Sequence, residues 1–111
     1  MNQFLIIVRG SDHSTASPEK MQQRLAAFGE WVQKVLDGRF VGGAPLEDTD
    51  SRLLSSKTQI ATDGPFMESK EMISGYMVIT ADSIEQATEF TKVCPLLGEF
   101  RLELRRLKPM N

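Results

Sequence analysis

Cysteine is almost absent from this chain. It occurs once, at Cys94, so no disulfide can form within one copy, and that usage fits a reducing compartment. Histidine also occurs once, at His13, which excludes a metal site built from several histidines of one chain. Long hydrophobic runs are missing as well. The longest, Phe4 to Val8, falls far short of the roughly 20 residues that cross a bilayer as a helix. No basic N-terminal region leads into a long apolar stretch, so neither a signal peptide nor a membrane role is expected, and the expected compartment is the cytoplasm. Neither sign of charge dominates. Thirteen Lys and Arg against fifteen Asp and Glu leave a net charge of −2, which removes the global electrostatic reason for binding nucleic acid. The Gly42-Gly43 pair lacks the GxxxxGK[ST] or GxGxxG spacing of a phosphate cradle, and no cofactor is expected. There is no repeat, linker or low-complexity segment, and 111 residues are read as one domain over 1–111.

What the chain does have is concentrated in Asp63-Gly64-Pro65-Phe66-Met67-Glu68-Ser69-Lys70-Glu71. Asp63 can hydrogen-bond the backbone ahead of it, Gly64 frees the dihedral angles, and Pro65 sets φ. Phe66 then offers a ring for burial beside Glu68, Lys70 and Glu71. Two readings stand. The segment is a shaped turn with a solvated charged tail, or it is the polar wall of a pocket. In the second, Asp63 accepts a proton while Lys70 holds an anionic group.

Local patterning predicts the elements. Phe4 to Val8 reads as a central strand covered on both faces. Ser17 is a helix N-cap, followed by Pro18 and Glu19. Met21, Leu25, Phe28, Val32 and Val35 form one helical stripe, with Arg24 on the same helix but off that stripe, and Gly38 is placed to close it. Phe40 to Leu46 is a second strand interrupted by Gly42-Gly43. Leu53-Leu54 and Ile60-Ala61 are arms of a small hairpin, and Gly75 to Thr80 is a further strand. Asp82 or Ser83 caps a second helix, whose inward face is Ile84, Ala87, Phe90 and Cys94, ended by Pro95. A last strand alternates Phe100, Leu102 and Leu104 with Arg101, Glu103 and Arg105. The order is β-α-β, a hairpin, then β-α-β. That is an α+β, ferredoxin-like split βαβ arrangement with an inserted hairpin. Its helices should cover one sheet face, and a homodimer is the economical way to cover the other.

The Asp63 segment resembles the DGPF (DGPFAETKE) branch of the YCII-related family. The likeness continues through Gly75-Tyr76-Met77-Val78-Ile79, Ala81 to Ala87 and Cys94-Pro95, and recurs at Leu5 to Gly10, Ser17-Pro18-Glu19 and Val41-Gly42-Gly43. Met67 stands where alanine is common and Ser69 where threonine is. The resemblance implies sheets that pair in a dimeric α/β barrel, with pocket walls formed by the Asp63 loop, the start of the Tyr76 strand and the stripe helix. It also implies a His–Asp pair in the broader family. Here Glu19, Lys20 and Met21 occupy the region of the histidine, and Cys94 the position of the acid, so that chemistry does not transfer.

The expected site is therefore Asp63 and Lys70 as chemical groups, with Phe66, Glu68, Glu71 and Arg24 around a small polar or anionic molecule. A second reading is a non-enzymatic interaction module. The DGPF branch resembles components linked to extracytoplasmic-function sigma factors, and the charged face of the last strand would be its docking surface. His13 reads as a solvated loop residue and Cys94 as a packed thiol, since it lies near a helix C-terminus rather than an N-terminus.

Overall fold

Alternation governs the first strand. In β1 (Asn2–Arg9), Phe4, Ile6 and Val8 are buried, whereas Leu5 and Ile7 are half-buried. β1 is a central strand, as expected; within one chain the helices lie on one of its faces, and Leu5 and Ile7 point to the other. The computed structural model describes residues 2–10, 17–47, 49–62 and 72–110. On either side of β1 lie β5 (Ile73–Ala81) and β6 (Arg101–Arg106), both antiparallel to it. β2 (Phe40–Pro45) pairs with the far side of β5, giving the sheet order β2-β5-β1-β6. β3 (Leu53–Leu54) and β4 (Ile60–Ala61) form the separate hairpin, Leu53 opposite Ala61. The architecture is α+β with an antiparallel sheet, in agreement with a ferredoxin-like arrangement.

Helix α1 (Pro18–Glu30) starts as its sequence predicts. Ser17 accepts a hydrogen bond from the Lys20 N–H at 3.2 Å, and Pro18 occupies the first turn, where its missing N–H costs nothing. The helix then widens into a π-helical segment, Trp31–Leu36, in which the Asp37 N–H reaches back to the Val32 carbonyl. This wider winding redirects the apolar stripe. Trp31 and Leu36, five residues apart, are buried, while Met21 and Leu25 are 52% and 70% exposed. The predicted stripe thus packs only in its second half, through Phe28, Val32 and Val35. Asp37 and Gly38 close the segment in the left-handed region, at φ 46° and 88°.

Ser83, not Asp82, caps α2 (Ile84–Lys92). Its hydroxyl accepts from the Gln86 N–H at 3.1 Å, and the Gln86 side chain accepts from the N–H of Asp82, the residue before the cap, at 2.7 Å. Ala87 and Thr91 are buried on α2 and Phe90 packs against the core, so Ala87 and Phe90 face inward as expected, whereas Ile84 is 43% exposed. The helix ends at Lys92, ahead of Cys94-Pro95, and Cys94 is buried in the turn that follows. Trp31 joins the two helices, its indole N–H donating to the Phe90 carbonyl at 3.0 Å. Phe4, Ile6, Leu36 and Ile79 are the largest fully buried side chains.

Candidate functional site: a cavity between the first helix and the sheet

The register places Pro45, Gly75 and Val8 in one row across three strands. Gly75 is buried on the helix-facing side and leaves that row without a side chain at its middle. Gly43 lies two pairs further along, opposite Met77. A Cβ there would stand 2.4 Å from the Tyr76 carbonyl oxygen and 2.9 Å from the Met77 Cα, so no larger residue fits the close approach of β2 to β5. A cavity of about 400 Å³, within the range of small-molecule pockets, lies beneath α1 and is lined by both glycines. Arg24, Leu25 and Phe28 wall it from α1, Phe40 from β2, and Ser74 to Met77 from β5; Leu96 and Phe100 line it from the turn before β6.

Aromatic rings shape one side. Phe28 and Phe40 meet edge to face, with ring centres 6.2 Å apart. Ser74 fastens the ends of two strands, its hydroxyl donating to the Gly10 carbonyl, while the Gly10 N–H donates to the Met72 carbonyl at 2.7 Å. Arg24 is the one cationic residue among the described lining residues. Its guanidinium lies 2.6 Å from the Glu99 carboxylate; the arginine side chain is 23% exposed and the glutamate 61%.

Of the residues expected to form the site, Arg24 lies on the cavity. Asp63, Phe66, Glu68, Lys70 and Glu71 lie outside the described residues, as does His13. Two of the expected walls, the stripe helix and the start of the Tyr76 strand, do face the cavity. The contributions of Gly43, Gly75, Phe40 and Phe100 were missed. The signal was present: glycine inside a strand often marks close approach of backbone to backbone or to a ligand. Among the described residues no cluster of His, Cys, Asp and Glu is arranged to hold a metal, and no helix is long and apolar enough to cross a membrane.

The YCII-related domain model matches residues 2–111. The chain belongs to the YCII-related family. No curated protein sequence matches it. Among solved structures, it resembles the 5-chloro-2-hydroxyhydroquinone dehydrochlorinase of Burkholderia phenoliruptrix AC1100, seen in complex with 2,5-dihydroxybenzoquinone. The TM-score is 0.56 at 17% identity, over 96% of this chain and 93% of that one, a likeness of fold. In this YCII-related chain the region where the resemblance expects a histidine, Glu19 to Met21, is exposed on α1. The position expected to carry an acid is Cys94, whose thiol is raised above its ordinary pKa, chiefly by burial and in spite of a backbone hydrogen bond from Leu96. A neutral buried thiol neither accepts a proton as a carboxylate would nor reaches a ligand.

Proposed function

We propose that this YCII-related protein binds a small molecule in the cavity beneath α1, and that the 63–71 segment supplies whatever chemistry follows. The cavity itself carries the reading: it combines a partly open, mostly apolar interior with one guanidinium among the described lining residues, the pattern of pockets that hold a small ligand by shape and orient it with a few polar groups. The dehydrochlorinase of similar fold is a small-molecule enzyme seen with a six-membered ring ligand, which supports the same use of this scaffold. Asp63 and Lys70 are proposed as the reacting groups, with Phe66, Glu68 and Glu71 around them, on the strength of the DGPF resemblance.

A homodimer belongs to this reading. Leu5, Ile7 and Val78 are half-buried and Tyr76 is 41% exposed on the sheet face without helices. An Arg9–Glu103 ion pair at 2.7 Å lies on the same face. A second copy packed there would form the dimeric barrel. The competing proposal is an interaction module linked to sigma factors, with the charged face of β6 as its docking surface.

The test is a ring-containing fragment library screened by amide chemical-shift changes against the wild type and Leu25→Trp. Leu25 is exposed at the cavity wall, so an indole there obstructs the cavity without disturbing the core. Fragments should shift the Gly43, Gly75 and Met77 amides in the wild type and lose that effect in the variant. Equal shifts in both proteins would remove the cavity from consideration.

A further inference from the structure

Resting on the cavity as the binding site, we infer that α1 is its lid: the helix closes on a bound molecule, turning about the π-helical segment, and brings Met21 and Leu25 into contact with it. α1 carries a face suited to burial that is not buried. Met21, Leu25 and Phe28 follow one another at spacings of four and three, the pattern of an inward-facing stripe. Yet no residue of α1 is buried, and Met21 and Leu25 are 52% and 70% exposed. The cavity of about 400 Å³ lies between this helix and the sheet. The space those side chains would fill by packing is therefore the space open to a ligand.

The hinge is part of the same helical run. Trp31–Leu36 winds as a π-helix, a rare form that is frequent at functional sites and at sharp bends. Gly29, a poor helix former, stands just before it. Beyond this point the chain is fixed: Trp31 and Leu36 are buried, and the Trp31 indole donates to the Phe90 carbonyl of α2. The π-helical segment is thus held by the core, whereas α1 ahead of it contributes no buried side chain. The Arg24–Glu99 pair at 2.6 Å does not oppose closure, because two long side chains can keep their contact while the backbone moves.

A filled cavity is what closes the lid. With the cavity empty, the helix would fold onto a void, and its side chains would gain few partner atoms. A bound molecule supplies those atoms. It makes contacts in the closed arrangement that the open one lacks, and such a difference is what allows a ligand to shift a two-state equilibrium. Closure also takes the bound molecule out of water.

The experiment uses the full chain with indole as the probe. Binding is read from the Gly43, Gly75 and Met77 amide signals in the wild type, Met21→Gln and Met21→Leu. Met21 is exposed and stands outside the present lining of the cavity, so Met21→Gln should leave the urea midpoint unchanged. It should nevertheless weaken indole by roughly fivefold, the worth of a partly buried apolar side chain. Met21→Leu should bind as the wild type does. Lid movement is read from the distance between spin labels at Gln22→Cys on α1 and Glu85→Cys on α2, both exposed positions, while Cys94 is buried and stays unlabelled. Saturating indole should move the distance distribution to a new, narrower maximum. Indole that shifts the lining amides without changing the label distance, or that binds Met21→Gln as tightly as the wild type, overturns the lid while the cavity stands. Absence of any shift at the lining amides removes the lid and the cavity reading together.

Discussion

Gly42 and Gly43 are neighbours in β2, yet an added methyl group should have opposite effects at the two positions. At Gly43 the new Cβ would lie 2.4 Å from the Tyr76 oxygen, 2.9 Å from the Met77 Cα and 3.2 Å from the Met77 Cγ. Two of those atoms are backbone in the paired strand, so relief requires β2 to move off β5. Overpacking of this kind costs about 1–3 kcal/mol, and an unyielding backbone places Gly43→Ala at the upper end. Nothing lies within 4 Å of the corresponding position at Gly42. There the methyl only narrows the unfolded ensemble, and Gly42→Ala should be neutral or stabilising by about 0.4–1 kcal/mol. The gap between the variants is therefore roughly 2–4 kcal/mol. For a domain of this size Gly43→Ala should lower Tm by on the order of 10 °C. Urea unfolding at one protein concentration, followed by the fluorescence of Trp31, measures it directly, because this sole tryptophan is 3% exposed in the fold. Equal stabilities for the two variants would refute the close approach of β2 to β5 and, with it, the floor of the cavity.

Further expectations concern the caps, the thiol, the dimer and the 63–71 segment. Ser83→Ala should cost about 1 kcal/mol in urea unfolding, since it leaves the Gln86 N–H without its partner; no change would show that α2 does not depend on this cap. Because burial raises the Cys94 thiol above its ordinary value, the stability it contributes is complete below the thiol range of the unfolded chain and declines as pH rises above about 8.5. Urea midpoints at increasing pH should fall more steeply in the wild type than in Cys94→Ala, and a thiol reagent at neutral pH should label Cys94 only as the chain unfolds. If the sheet face pairs in solution, light scattering should give twice the chain mass, and Val78→Lys on that face should yield a folded monomer. Lys70→Ala should abolish binding of ligands identified in the fragment screen without altering the dimer; unchanged affinity would detach the 63–71 segment from the site.

Much of the fold was legible because its signals are local. Alternating Leu102 and Leu104 with Arg101, Glu103 and Arg105 marks β6, and Ser17-Pro18-Glu19 and Asp82 to Gln86 mark two helix starts through the hydrogen bonds that short side chains offer to orphan N–H groups. The β-α-β, hairpin, β-α-β order follows from those elements. The exposed Leu25 and buried Trp31 were not legible, since a stripe drawn at the usual helical period assumes uniform winding, and the π-helical segment at Trp31–Leu36 breaks it. Nor did the strands announce which residues share a row. Asp63 and its neighbours drew attention by composition, whereas the cavity is lined by residues far apart along the chain.

By itself, the sequence determined the family, the order of elements and the faces along most of them, because each of these is written in residues close together along the chain. Only the tertiary structure decided that Gly75 lies between Pro45 and Val8, that Arg24 meets Glu99, and that Phe28, Phe40 and Phe100 line one space. Those relations depend on strand register and helix winding, which set contacts between residues distant in sequence, and no local pattern encodes the empty volume they enclose.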